Sequence, residues 1–375
     1  MTTIDSLQDI SANFGQAEIG RTVGDNQIFT HPASTAFIWD YKDTTENIRK
    51  LYERGKTSQW NGATYLDWST PVDLENQLFS PEPMLEGEDW YKKLTAKEKN
   101  RLTIEMNTQT LSQFLHGEQG ALIATTQLVE AVPHINSKFY AATQVVDEAR
   151  HVEVFERYVR EKMDGIYEIT ESLFSLLKAI TAESRWDFKF LGMQLLVEGL
   201  ALAAFMNMLN RCNEPLLKKL LRLVMQDEAR HVAYGVLSLR DYYSEMNEKD
   251  RRERQEFVYE ATIRMRDRLF STQAHEKCGI PRQVVVDFMA RSTYIKQFRS
   301  LMFVNVVPNM KKIGLLDGFL AEKYGEMGIL QLQDFDTECM LNKYIYGGES
   351  LEADQSREVA AGGPGGMRPA AGSAD

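Results

Sequence analysis

Two stretches of the sequence, residues 147–152 and 227–232, both read Asp-Glu-Ala-Arg-His-Val and lie eighty positions apart. Each contains a Glu-x-x-His: Glu148 with His151, and Glu228 with His231. Thirty residues before each motif glutamate stands another, Glu118 and Glu198. Residues three apart on a helix share a face, so each Glu-x-x-His can offer one carboxylate and one imidazole to a single ion. The midpoints of the two Glu–Glu intervals are Pro133 and Asn213, both in predicted turns. In an antiparallel helical hairpin, residues equidistant from the turn lie at one height, here about 22 Å along each helix. Each hairpin then brings a Glu and a Glu-x-x-His to the same level. Two hairpins side by side would converge four carboxylates and two imidazoles.

Four buried carboxylates repel one another and are costly to strip of water. Two divalent cations would cancel their charge. Oxygen-rich ligation with one imidazole per metal favours iron or manganese over structural zinc, which prefers a closed set of thiolates and imidazoles. A lone Glu-x-x-His is usually a solvated polar face, but two copies with matched upstream glutamates do not fit that explanation.

The elements that must position these residues are legible as helices. Thr95-Ala96-Lys97-Glu98 has the form of a capping box and opens a helix that runs to about residue 130. A second helix is predicted from a cap at Asn136 or Ser137 to about 163, a third over 184–212, and a fourth over 215–246 with Pro215 in its first turn. Segments 248–272 and 282–306 also carry helical periodicity, and no stretch alternates with period two for long. The expected fold is all-α: a four-helix bundle over 95–246 with additional helices at both ends. Residues 1–94, with Trp39, Trp60, Trp68 and Trp90 scattered among prolines, read as a wrapping extension. Residues 247–346 read as further helices packed on the bundle, and the Gly- and Pro-rich 347–375 as a disordered tail.

A net charge of -11 over 375 residues argues against nucleic acid as a partner. The N-terminus lacks the basic and apolar runs of a signal peptide, and the three cysteines, Cys212, Cys278 and Cys339, are far apart. A cytoplasmic protein is expected. Residues 191–209 are apolar enough to raise the question of a membrane, but Glu198 stands at their centre, so a helix buried in a bundle is the better reading.

With these ligands and spacings, the chain resembles the ferritin-like di-iron carboxylate superfamily, whose bundles take a Glu from each of two helices and a Glu-x-x-His from each of the others. The resemblance covers about residues 96–245 and is to the oxygenases and oxidases similar to the ribonucleotide reductase small subunit. The Asp-Glu-Ala-Arg-His motif itself is similar to that of bacterial monooxygenase hydroxylase subunits. It implies that Glu118, Glu148 and His151 hold one iron and Glu198, Glu228 and His231 the other, with some glutamates bridging. Manganese is an alternative at either position, and O2 is the co-substrate. Asp147 and Asp227 would orient the imidazoles, with Arg150 and Arg230 balancing their charge. The implied activity is a non-haem di-iron oxygenase or oxidase that hydroxylates, N-oxygenates or desaturates a small or acyl-type substrate. A ferroxidase and a radical-storing reductase subunit are the rivals. Phe114, Leu122, Phe155, Leu195, Leu202 and Phe205, one or two turns from the ligands, are expected to line a hydrophobic pocket. Gly117, Gly120 and Gly199 would either allow close helix contact or leave room for O2 or substrate. No flavin or nicotinamide motif and no cysteine cluster is evident, so electrons would come from a separate reductase or ferredoxin. A homodimer is left open.

Departures from the related patterns narrow the reading. Phe155 stands where reductase subunits place their radical tyrosine, although Tyr158 and Tyr234 are near. Ala201 and Leu202 stand where hydrocarbon hydroxylases and desaturases often place a threonine. Arylamine N-oxygenases carry a further histidine four residues before the last Glu-x-x-His, and here that residue is Val224.

Overall fold

In the computed structural model, residues 34–39, 41–42, 45–267 and 272–337 are described, and the tail expected from 347 onward lies outside them. Among the described residues there is no strand; Phe79 and Cys212 form an isolated bridge. Helix α1 spans Glu46–Thr57, and the four bundle helices follow as α2, Ala96–Ala131; α3, Ile135–Lys162; α5, Trp186–Arg211; and α6, Pro215–Ser244. A further helix, α4, Glu171–Ala182, lies between α3 and α5. After the bundle come α7, Glu248–Asp267; α8, Arg282–Arg291; α9, Thr293–Leu301; α10, Val306–Lys312; and α11, Gly318–Glu326. These helices belong to one unit that ends at Phe335.

The start of α2 is the reciprocal cap that the sequence predicts: the Glu98 carboxylate accepts from the Thr95 amide at 2.7 Å, and the Thr95 hydroxyl accepts from the Glu98 amide at 3.3 Å. Helix α3 differs from expectation. It begins directly after Pro133, with His134 at the cap and Asn136 and Ser137 buried inside its first turn. The short turn is closed from the other side, where the Lys138 ammonium donates to the Val129 and Glu130 carbonyls that end α2. Helix α6 starts at Pro215 as predicted, and the Glu214 carboxylate accepts from the Leu216 and Leu217 amides.

Helix α4 was not predicted, although Thr170 caps it and Leu173, Leu176, Leu177 and Ile180 form a buried stripe at helical spacing. It packs on α2, where Leu177 fills the space beside Gly120. Helix α5 is apolar enough to cross a membrane by composition, but 89% of its apolar window is buried in the bundle. Its residues Leu191–Val197 form a π-helical turn that ends on Glu198. The extra residue per turn rotates the downstream part of α5 relative to a regular helix and so helps set the direction of Glu198. The turn is seated against Gly235 of α6, where a Cβ would lie 2.8 Å from the Cβ of Gln194. That neighbour is a side-chain root and cannot swing away. Gly235→Ala should therefore cost about 1–3 kcal/mol through overpacking, read as a lowered thermal midpoint; an unchanged midpoint would show that the helices part easily here.

Candidate metal centre

The four bundle helices deliver the six predicted ligands to one place. Glu118 comes from α2, Glu148 and His151 from α3, Glu198 from α5, Glu228 and His231 from α6, and none is more than 6% exposed. Donor atoms of Glu118, Glu148, His151 and Glu228 lie within 4.8 Å of one another, and so do those of Glu148, Glu198 and His231. Glu148 belongs to both groups.

The imidazoles are held by opposite helices. His151 on α3 sets its Nε2 3.1 Å from Asp227 of α6, and His231 on α6 sets its Nε2 3.2 Å from Asp147 of α3. Each repeat thus supplies the carboxylate that steadies the other repeat's histidine, an exchange that spacing alone does not reveal. With Nε2 engaged, both Nδ1 atoms face the glutamates: His151 Nδ1 is 3.2 Å from Glu118 and 3.0 Å from Glu228, and His231 Nδ1 is 3.2 Å from Glu148. The arginines lie around the aspartates, Arg150 bonding to both Asp147 and Asp227 and Arg230 to Asp227.

Three residues of this shell were not singled out from sequence. Trp60 donates its indole N–H to Asp227 at 2.8 Å and lies under the Arg150 guanidinium, while Gln59 donates to Asp147 at 2.8 Å. Both lie in the N-terminal segment after α1, and nothing local in the sequence marks them. Gln144 donates to Glu148 at 2.9 Å and Glu198 at 3.0 Å. It stands four residues before Glu148, and that same-face spacing is a signal that could have found it.

Several inner atoms are close without being bonded. Glu148 Oε2, Glu198 Oε2, both oxygens of Glu228 and His231 Nδ1 are buried and make no hydrogen bond. The 3.2 Å between His231 Nδ1 and Glu148 meets an ion-pair distance but lacks hydrogen-bond geometry. Lone pairs brought together yet not aimed at one another are what cation ligands require, and buried polar atoms are otherwise rarely left in this condition. The set fits a pair of metal ions.

Without metal, the site must hold protons. Burial, then the neighbouring Glu228, pushes the Glu118 carboxyl up to about 8. The same causes raise Glu198 well above the carboxylate range. For Glu148 burial also acts upward, but the histidines outweigh it and hold it low. Burial alone would lower His151 and His231, yet the surrounding carboxylates raise both.

The glutamates also open onto a cavity of about 190 Å³, reached by Glu118, Glu198 and Glu228. Of the residues expected to line it, Phe114 and Phe205 do so, their rings edge to face at 4.5 Å. The other four are not among the lining residues. Phe155 lies behind, stacked on Phe205 at 5.7 Å, because α3 is covered by the rings of α2 and α5. Leu195 is spent on the contact with Gly235, and Leu202 is core, while Leu122 is half-buried away from the cavity. The three glycines divide: Gly117 lines the cavity, whereas Gly120 and Gly199 meet Leu177 and Val306. Residues outside the four bundle helices complete the wall, among them Glu82, Met84, His275, Phe298 and Met302. Tyr158 and Tyr234 are engaged elsewhere, bonded to Glu214 and to the Ser137 carbonyl.

A family model, described as p-aminobenzoate N-oxygenase AurF, matches residues 41–314. The chain belongs to the AurF family. That family match and the helical bundle place it in the ferritin-like di-iron carboxylate superfamily. No curated protein matches its sequence. Among solved structures it is similar to the dimanganese(II) NrdF of Streptococcus sanguinis, at 14% identity over 80% of this chain and 100% of that one, with a TM-score of 0.48. It is also similar to an R2-like ligand-binding oxidase with an Mn/Fe cofactor, at 15% identity over 74% of this chain and 96% of that one, with a TM-score of 0.47. At Val224, which is fully buried, this member of the AurF family has an apolar side chain one turn before Glu228.

The geometry makes two outcomes measurable. Because Glu118 keeps in the folded protein, up to about pH 8, a proton that the unfolded chain releases near 4.5, the metal-free protein should lose stability as pH rises across that window. Bound metal displaces that proton, so the rise in thermal midpoint on adding Mn(II) should be larger at pH 8 than at pH 5.5; an equal or smaller rise would contradict the assignment. Asp227→Asn should weaken metal binding about 10–100-fold by freeing His151, measured by titration, with the bundle intact by circular dichroism.

Proposed function

We propose that this protein is an O2-dependent oxygenase that uses two metal ions, iron with manganese as the alternative, to oxidise a small amine-bearing organic substrate at nitrogen. The observation that carries the reading is the six-residue cluster with unbonded inner atoms, opening on a cavity between α2 and α5. Glu118, Glu148, His151 and Glu228 would hold one ion and Glu148, Glu198 and His231 the second, with Glu148 shared. When bound, the metal pair supplies the redox chemistry of O2.

The chain's own residues prepare the site. Asp147 and Asp227 accept from the histidines and fix Nδ1 as the inward donor. Gln144 ties Glu148 to Glu198 and holds the carboxylates of two helices in register. Phe114, Phe155 and Phe205 form an aromatic cluster beside the glutamates, with Phe114 and Phe205 on the cavity wall. Amine oxidation is favoured by the family to which the chain belongs. Val224 supports a second reading, hydroxylation or desaturation at carbon, because it removes the extra histidine found in arylamine N-oxygenases. Electrons would come from a separate reductase or ferredoxin.

The reduced, iron-loaded protein should consume O2 and add oxygen to an amine, seen by mass spectrometry of the product. Glu148→Ala with Glu228→Ala should abolish both paired metal binding and oxidation. Loading of many irons per chain with no product would instead mark a ferroxidase, and retention of two metals in the double variant would refute the ligand set.

A further inference from the structure

The cavity beside the acidic cluster is drawn out along two helices. On α5 its lining recurs at Glu198, Ala201, Ala204, Phe205, Met208 and Arg211, a helical stripe about 20 Å long. On α2 the matching stripe is Glu118, Phe114, Thr110 and Met106, about 18 Å long. Both begin at the glutamates and touch midway at the Phe114–Phe205 contact. They also end together, since Glu82 pairs with Arg211 while its neighbour Met84 packs in the same apolar cluster as Met106.

Among the lining residues, Ala201, Ala204, Asn207 and Arg211 of α5 and Met106, Gln113, Phe114 and Gly117 of α2 keep partial exposure, and Thr110 is exposed. The inner part of the cavity is walled by small or apolar groups, Gly117, Ala121, Val197, Leu200, Ala201 and Ala204. Beyond the Phe114–Phe205 contact polar groups join the wall, with Thr110, Gln113 and Asn207 beside Met106 and Met208 before the Glu82–Arg211 pair. A compact cavity of roughly 150 Å³ accepts benzene. Here about 190 Å³ is spread along roughly 20 Å of two facing helices, which makes a slot.

We propose that this slot binds a straight-chain amine, with nitrogen at the glutamate end, an unbranched apolar stretch along Ala201 and Ala204, and any second polar group near Arg211. The proposal rests on the reading of the cluster as the oxidising site, but chain binding can be measured without turnover. The probes are n-butylamine, n-hexylamine and n-octylamine titrated by calorimetry into the Mn(II)-loaded protein. Octylamine should bind at least about tenfold more tightly than butylamine, the direction set by burying additional methylenes. In Ala204→Phe, whose new ring would fill the slot midway, the octyl-to-butyl affinity ratio should fall by about tenfold or more. Affinity that does not change along the series in the native protein overturns the proposal, whether or not the variant folds. An unchanged ratio in a variant with native thermal stability does so too. If the length dependence holds but no amine is oxidised by the iron-loaded protein, the slot stands and the proposed reaction falls.

Discussion

Four carboxylates and two imidazoles are buried at the centre of a helical bundle, and the rest of the molecule depends on how that charge is contained. Carboxylates out of water repel one another and are driven to take up protons, as Glu118 and Glu198 do when only the protein surrounds them. Protons satisfy the charge but leave the inner oxygens without partners. Metal ions satisfy both. The helices must therefore be stiff enough to hold a repelling set together before metal arrives, and the surrounding shell of Asp147, Asp227, Arg150 and Arg230 supplies that stiffness.

The exchange of partners between the two repeats gives this shell its effect. If each aspartate steadied the histidine of its own helix, the two hairpins could shift independently. Because Asp147 reaches His231 and Asp227 reaches His151, a displacement of α3 against α6 breaks two bonds at once. Trp60 and Gln59 then fasten the segment after α1 onto the same aspartates. The N-terminal segment is thereby part of the site's support, and its order is tied to that of the bundle.

What the sequence made legible was whatever helical periodicity could express. The thirty-residue intervals, the turns at Pro133 and Asn213 and the cap at Thr95 located the clustered carboxylates and imidazoles and the starts of α2 and α6. Helix α4 was missed although its stripe of leucines carried the same kind of signal. Other features had no local signal. The π-helical turn before Glu198, the reach of Trp60 and the crossing of the aspartates arise from contacts between distant segments. The pocket expectation met Phe114 and Phe205 but not the other four residues, for the same reason. Proximity along a helix selected Leu122, Phe155, Leu195 and Leu202, but which face meets the cavity is set by α4 and by the segments around Glu82 and His275.

The central claim is that two metal ions sit among these six side chains, and anomalous X-ray diffraction from crystals grown with Fe(II) and Mn(II) tests it most directly. Two anomalous peaks are expected, one among Glu118, Glu148, His151 and Glu228 and the other among Glu148, Glu198 and His231. A single peak, or none between α2, α3, α5 and α6, would contradict it.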